Sequence, residues 1–336
     1  MTSSKTDLFL LVLATAIAYV VIVLGAYVRL SDAGLGCPDW PGCYGKLIVP
    51  EGPLAIEKAN QAFPDRPVEH AAAWKEMVHR YAASTLGFII LLLALKNWLA
   101  VLRGERHFLP SRTILLFLVL FQGALGMWTV TLLLKPLIVD AHLLGGMTIL
   151  SLLYWQLISV AEPRAKQNQG FPAHWVLFAI LLVFFQIALG GWTSANYSAL
   201  VCTDFPKCQG EWWPEMNFRE AFTLWRGLGV DYEGGVLDGA ARTAIHVSHR
   251  VGALITFFVL SGLILFALGR GSKAVKISAL LVAVVLIVQL SLGIANVLLL
   301  LPLPVAVAHN GVAALLLISL VNLLYFSQST DRQAIY

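Results

Sequence analysis

Four of the eight histidines in this sequence recur at a nearly constant spacing, and their side chains could ligate a metal. His79 and His249 stand 170 residues apart, while His142 and His309 stand 167 residues apart. Two imidazoles complete the axial ligand set of a haem iron, whereas zinc or copper ordinarily takes further ligands nearby. The pattern therefore predicts two bis-histidine haem sites, with a zinc or copper site as the alternative.

The composition shows which kind of element must carry these histidines. Of 336 residues, 58% are hydrophobic and 12% are charged, and the mean hydropathy is +0.77. Soluble domains contain about 25% charged residues. These values exclude a soluble globular enzyme, a disordered chain and a secreted disulfide scaffold. The net charge of +4 is small, so we interpret the basic residues as determinants of membrane orientation. We expect lipid rather than nucleic acid as a partner.

Eight stretches are long and apolar enough to cross a bilayer as helices, which takes about 20 residues. They are not the alternating short segments of a barrel. The predicted spans are Leu8–Val28, Glu76–Leu99, Thr113–Leu134, Ala141–Ala161, Ala173–Ser194, Thr243–Leu268, Ile277–Leu301 and Val305–Phe326. The fold class is therefore an all-α polytopic membrane protein.

All four recurring histidines fall on even-numbered spans, within the first few residues after the chain enters from one face. Even-numbered spans run in the same direction, so the four imidazoles should lie at similar depth near that face. Ionisable residues at membrane depth are costly and usually functional. A single such histidine is usually an interfacial residue, but four in two matched pairs favour ligation.

Basic residues in the short loops predict the orientation, because Lys and Arg are enriched in cytoplasmic loops. The residues concerned are Lys96, Arg103, Arg106 and Arg112; Arg164 and Lys166; and Arg270, Lys273 and Lys276. We therefore expect both termini to be cytoplasmic and the two long loops, about 30–76 and 195–242, to face outward.

The chain looks like two four-helix units in tandem. CPDWPGC recurs as CTDFPKC 165 residues later, and Gln-x-x-Leu-Gly recurs at Gln122, Gln186 and Gln289. An even number of spans gives both copies the same orientation, as in parallel transporter repeats. The sequence predicts pseudo-symmetric four-helix bundles at residues 1–165 and 166–336.

The two copies differ beside the first histidine of each pair. Glu76 precedes His79 by three residues and so shares its helix face, whereas His246 takes the equivalent position before His249. A carboxylate in one copy alone suggests that one haem is acted on and the other is a resident cofactor. The alternatives are an interfacial acid paired with Lys75 or Arg80, and for His246 a second ligand, a proton carrier or a polar cap.

Arginines follow the same two histidines, as Arg80 and Arg250. Arginine suits bidentate carboxylate binding, so haem propionates are candidate partners, with snorkelling to the interface as the alternative. The Leu-Gly pairs allow close helix approach or leave room for a flat macrocycle, and the sequence does not separate these two roles.

All four cysteines lie in the outward loops, as Cys37-x5-Cys43 and Cys202-x5-Cys208. An oxidising compartment favours disulfides, and of three connectivities we favour pairing within each loop. The spacing is unlike that of zinc ligands, and no C-x-x-C-H motif for covalent haem is present. The sequence does not decide whether these disulfides are structural or redox-active.

The motifs together resemble the haem A synthase family of bacteria and mitochondria over nearly the whole chain. Those that carry the resemblance are GAYVRLS from Gly25, GCPDWPGC from Gly36, EMVHR from Glu76, DAH from Asp140, IHVSHR from Ile245 and HNGV from His309.

The resemblance implies eight helices in two bundles and an oxidoreductase that converts the C8 methyl of haem O to the formyl group of haem A. It implies substrate ligation by His79 and His142, haem B ligation by His249 and His309, and a catalytic Glu76. Haem O synthase and terminal oxidase assembly would be partners in a bacterial inner membrane, and a homo-oligomer remains open. The competing functions are a dihaem b-type cytochrome that takes electrons from quinol, and a haem-handling or export protein.

Overall fold

The computed structural model describes residues 5–104, 110–162 and 171–328 as ten helices joined by loops, with two isolated β-bridges and no strands in these ranges. The helices are α1 (Lys5–Leu30), α2 (Pro53–Ala62), α3 (His70–Leu102), α4 (Pro110–Thr131), α5 (Pro136–Ala161), α6 (Ala173–Ala195), α7 (Phe218–Ala221), α8 (Gly239–Arg270), α9 (Lys273–Leu298) and α10 (Leu303–Ser327).

Eight of these helices are long and apolar enough to span a membrane, which confirms the predicted all-α polytopic class. The predicted bounds differ by a few residues at several helix ends; among those near the cysteine loops, α3 begins at His70 rather than Glu76 and α8 at Gly239 rather than Thr243. The helices extend beyond their apolar stretches because these flanking segments are rich in alanine, the strongest helix former. Consequently the four histidines lie about two to three turns inside their helices. The short helices α2 and α7, in the two loops that carry the cysteines, were not predicted.

Local sequence signals start several of these helices. Proline stands at the first turn of α2 and α5, where its missing N–H costs nothing because that donor has no partner within the helix. The Asp238 carboxylate caps α8 by accepting the backbone N–H of Ala241 at 2.7 Å. Ser272 caps α9 in the same way through Val275 N. Such caps satisfy helix donors that would otherwise remain unpaired.

Helices α5 and α10 occupy the centre of the packing. Helix α5 contacts α1, α4, α6 and α10, and α10 contacts α1, α5, α6 and α9. One apolar core runs through all eight long helices, and Leu150 of α5 and Leu317 of α10 are fully buried in it. Large apolar side chains such as Phe117 of α4, 67% exposed, face outward as lipid-contacting residues do.

Several backbone features recur between the two halves of the described chain. A turn with positive φ joins α4 to α5 at Leu133–Leu134, and another joins α9 to α10 at Leu300–Leu301. Isolated bridges Cys43–Lys46 and Cys208–Glu211 close the tips of the two cysteine loops. The two halves thus repeat local geometry as well as sequence.

At the end of the bundle opposite the cysteine loops, Asp7 of α1 binds Lys96 of α3 at 2.5 Å and Arg112 of α4 at 3.1 Å. This places two of the basic residues used for the orientation at one end of the molecule. Arg106, Arg164, Lys166 and the boundary between residues 165 and 166 lie outside the described residues.

Candidate functional site

The first histidine pair comes together between α3 and α5. The ring centroids of His79 and His142 are 6.5 Å apart, with the ring planes at 77°. The Nδ1 atoms of both rings are buried and have no hydrogen-bond partner among the described residues. Two imidazoles from two helices therefore face one another across a narrow gap inside the bundle.

Each of the four histidines packs against a glycine of the preceding long helix. A Cβ placed on Gly25 would lie 3.0 Å from Cε1 of His79, and one on Gly190 would lie 3.1 Å from Cε1 of His249. Gly126 and Gly293 face His142 and His309 in the same way, at 3.4 and 3.1 Å. The Leu-Gly pairs therefore give the imidazole rings room, which sequence reasoning left undecided.

The second histidine pair, on α8 and α10, is held by glutamines of the neighbouring helices. Gln186 Nε2 donates to the backbone oxygen of His249 at 2.9 Å and lies 3.0 Å from its Nδ1. Gln289 Nε2 lies 3.3 Å from Nε2 of His309. His309 lies close enough to His249 for the two imidazoles to interact electrostatically.

The Glu76 carboxylate is buried, 5% exposed, at the junction of α3 and the first cysteine loop. Its Oε2 accepts the backbone N–H of Cys37 at 2.9 Å, and its Oε1 pairs with Arg80 at 2.5 Å. The pairing with Arg80 is thus present, and the disulfide loop supplies the second contact. The carboxylate is charge-paired and hydrogen-bonded, as a buried anion requires.

The arginines that follow the histidines anchor the cysteine loops. Arg80 donates to the carbonyl oxygens of Asp39, Pro41 and Gly42 as well as to Glu76. Arg250 donates through Nη1 to Lys207 O at 2.8 Å and through Nη2 to Cys202 O at 3.1 Å. These contacts give the two arginines a role in loop positioning, and propionate binding stays a prediction.

Disulfides close both cysteine loops, between Cys37 and Cys43 and between Cys202 and Cys208. Pairing within each loop is as predicted, and no free cysteine is present in the described chain. In the second loop, hydrogen bonds from the backbone N–H groups of Gly210 and Gln209 hold the pKa of the Asp204 carboxyl below its ordinary value. Asp39 accepts the equivalent bonds from Tyr44 and Gly45 in the first loop.

His246 occupies the position of Glu76 in the second half and makes a different contact. It is buried, 5% exposed, and its Nδ1 lies 3.0 Å from the carbonyl oxygen of Ser198. The same segment receives Arg29 of α1, which donates to Ser194 O at 2.7 Å and stacks on the Tyr197 ring at 4.2 Å. The GAYVRLS motif therefore contributes both a wall for His79 and a link between the halves.

The donor set of this site fits haem iron. An imidazole nitrogen binds a transition metal at about 2 Å and lies about 1 Å from its ring centre, so two axial rings stand about 6 Å apart. The 6.5 Å between His79 and His142 matches one metal ion between them. The described residues contain no group of three or more His, Cys, Asp or Glu suited to a metal ion, and haem iron takes only two protein ligands.

Sequence reasoning recognised the glutamines of the repeated motif but gave them no role. The motif spacing could have indicated a role beside the histidines, because Gln-x-x-Leu-Gly places the glutamine one turn before the glycine that faces a histidine. A second missed feature is Asp140 of α5, whose buried Oδ1 has no partner in the described chain and touches α6 at Gly191.

The fold and these residues define a helical, polytopic membrane protein with two pairs of histidines at matching places in its two halves. Residues 8–321 match the model of the COX15-CtaA family, described as cytochrome oxidase assembly protein. The chain belongs to this family, the haem A synthase family.

Three similar proteins share the same name. The chain is 44% identical to "Heme A synthase" of Shewanella oneidensis, over 96% of this chain and 98% of that protein. It is 28% identical to "Heme A synthase" of Granulibacter bethesdensis, over 94% and 85% of the two chains. It is 25% identical to "Heme A synthase" of Caulobacter vibrioides, over 91% and 92%.

Proposed function

We propose that this protein is a haem A synthase that oxidises the C8 methyl group of haem O to the formyl group of haem A. The substrate haem is held by His79 and His142, and a resident haem B is held by His249 and His309. The observation that carries this assignment is the pair of similar histidine sites of which only one has a buried carboxylate, Glu76, three residues from a ligand.

The two sites belong to two tandem, pseudo-symmetric four-helix bundles, at residues 1–165 and 166–336. In support, α1, α3, α4 and α5 contact one another in the same order as α6, α8, α9 and α10. The matched turns between α4 and α5 and between α9 and α10 support the same arrangement. Each bundle then contributes one haem site near its cysteine loop.

Glu76 is the catalytic residue of this proposal. Its carboxylate is fixed by Cys37 N–H and the Arg80 guanidinium, so its position is defined before substrate binds. A negative charge there stabilises positive charge that develops on the methyl carbon as it loses electrons, or takes up the proton that leaves. Burial lowers the local dielectric constant and strengthens either effect.

The resident haem, when bound, supplies an acceptor for electrons withdrawn from the substrate. The protein holds that haem through His249 and His309 and positions their rings through Gly190 and Gly293. The Cys37–Cys43 disulfide adjoins Glu76 through the Cys37 N–H. A structural role for this disulfide and a redox role are both consistent with that position.

The protein functions in a bacterial inner membrane with both termini cytoplasmic and the cysteine loops outside. The basic residues at the Asp7 end of the bundle support this orientation. Haem O synthase supplies the substrate, and terminal oxidase assembly consumes the product.

The test is haem analysis of cells that express this chain with haem O synthase, comparing wild type with Glu76→Gln. We expect the yield of haem A to fall at least about 100-fold, the usual contribution of a positioned acid or base, while haem B stays bound. Glu57→Gln, which changes an exposed acid on α2, is the matched control and should leave the yield unchanged.

Three outcomes would contradict the proposal. If Glu76→Gln makes as much haem A as Glu57→Gln, Glu76 has no part in the chemistry. If wild type binds two haems and is reduced by quinol but forms no haem A, the chain is a dihaem cytochrome. A protein that binds haem O and releases it unchanged would instead handle or export haem.

A further inference from the structure

The two histidine pairs differ in what touches their ring nitrogens. In the C-terminal pair, Gln186 reaches Nδ1 of His249 and Gln289 reaches Nε2 of His309. In the N-terminal pair, the Gln122 side chain donates to the backbone oxygen of His142 at 2.7 Å and makes no hydrogen bond to a ring nitrogen. The Nδ1 atoms of His79, His142 and His309 have no hydrogen-bond partner among the described residues, so His249 is the one histidine of the four whose Nδ1 meets a side chain there.

The sequence explains why His79 lacks such a partner. In α4, α6 and α9 a glutamine stands four residues before the glycine that faces a histidine. In α1 the residue four positions before Gly25 is Val21, which has no hydrogen-bonding side chain. Helix α1 therefore offers His79 room through Gly25 but no side-chain hydrogen bond.

Space for the Gln186 amide is built into α8. A Cβ on Gly252, one turn after His249, would collide with Gln186 Oε1. Gln186 Oε1 is itself buried without another partner in the described chain. A carboxamide carries both a donor and an acceptor. A flip of this amide therefore exchanges the Nε2 donor bond to the His249 backbone oxygen for an Oε1 acceptor beside the Nδ1–H of an imidazole that ligates through Nε2.

Partners of this kind matter for metal binding. A ligating histidine usually gives its other ring N–H to an oxygen acceptor, which fixes the ring orientation and raises its basicity. Loss of such a partner weakens metal binding by about 10- to 100-fold. A ring without a partner can rotate more freely and holds its metal less firmly.

We propose that Gln186 is a positioning residue that makes the C-terminal site retain its haem through its contact with Nδ1 of His249, whereas the Nδ1 atoms of the N-terminal pair, without a side-chain partner, leave that haem exchangeable. This inference rests on the proposed function, in which one haem must leave as product and the other must stay. It assigns the difference between substrate and cofactor sites to their hydrogen bonds as well as to Glu76.

The experiment follows haem transfer from the purified, haem-loaded, full-length protein to excess apomyoglobin. We expect a fast and a slow phase in the absorbance change, and His142→Ala should remove the fast phase. Gln186→Leu should accelerate the slow phase by about 10-fold or more. Gln122→Leu, a change in the same motif of α4 at a residue that donates to the main chain of His142, should leave the slow phase unchanged.

A second readout distinguishes positioning from general destabilisation. Gln186→Glu places an acceptor beside Nδ1, so it should restore slow release and lower the midpoint potential of the low-spin haem relative to Gln186→Leu. Gly252→Ala displaces the Gln186 amide without removing it and should accelerate the slow phase, as Gln186→Leu does.

The inference is overturned if Gln186→Leu and wild type share the slow release rate and the midpoint potential while both bind two haems. It is also overturned if Gln122→Leu accelerates the slow phase as much as Gln186→Leu does. A wild-type protein that binds no haem at all would instead contradict the proposed function.

Discussion

The glycines that face the histidines give the sharpest quantitative prediction, because a single methyl group tests the placement of each ring. Gly190→Ala adds a Cβ that would lie 3.1 Å from Cε1 of His249. Carbon atoms in contact prefer separations of about 3.5–4.0 Å. The His249 ring must therefore move by about 0.5 Å or α6 must move away from α8.

The size of the effect follows from that overlap. Overpacking a close helix contact costs about 1–3 kcal/mol, and a functional site tolerates displacements of only about 0.5 Å. If the cost falls on the ligated state, haem at the C-terminal site binds about 5- to 150-fold more weakly. The low-spin spectrum of this site should weaken in parallel.

The assay is titration of haem B into apoprotein in detergent, followed by absorbance. Gly262→Ala is the control, since Gly262 lies on the same helix as His249 and nothing lies within 4 Å of its added Cβ. That change should leave haem affinity unaltered and favours the helix by about 1 kcal/mol. Equal haem affinity in Gly190→Ala and Gly262→Ala would refute the placement of His249 against Gly190.

Two further predictions concern the cysteine loops. Gly36→Ala would place a Cβ against the backbone of α3, 2.5 Å from the carbonyl carbon of Ala72. We expect this substitution to move the Cys37 N–H away from Glu76 and to abolish haem A formation, while the low-spin haem remains bound. Chromatography of extracted haems measures both. Because the native pKa of Asp204 is lowered, its carboxylate should stabilise the second loop fully above about pH 4 and lose this effect as pH falls through the lowered pKa. Hydrogen-exchange protection of the Gly210 amide should follow that dependence and become independent of pH in Asp204→Asn, and pH-independent protection in wild type would contradict it.

The sequence predicted the elements that depend on local composition. Eight apolar stretches fixed the number of spans, because each must exceed the thickness of the bilayer core. It missed the start of α3, since the residues from His70 to Lys75 are helical by propensity although they lie outside the apolar stretch. Helix α2 was missed because a ten-residue helix in a loop has too few apolar positions to show a clear period.

The candidate site was predictable as residue types but not as contacts. Spacing paired the histidines, yet it could not show that Gln186 reaches a ring nitrogen while Gln122 reaches a carbonyl oxygen. Both glutamines occupy the same motif position, and the difference arises from how α4 meets α5 and α6 meets α8. Interhelical geometry of this kind is set by packing along the whole helix pair, so a short motif does not encode it.

The arginine anchors explain how two copies of one scaffold can diverge without losing their shape. Arg80 and Arg250 each hold a disulfide loop through carbonyl oxygens. The loop positions therefore do not depend on which residue lies one helical turn before the arginine. That freedom allows Glu76 in one copy, where it also accepts the Cys37 N–H, and His246 in the other, where it turns to Ser198 instead. A carboxylate in place of the His246 ring would meet the carbonyl oxygen of Ser198 rather than an N–H donor. Exchange of these two residues alone should therefore not exchange the roles of the two sites, because the contacts of the carboxylate differ as well as its charge.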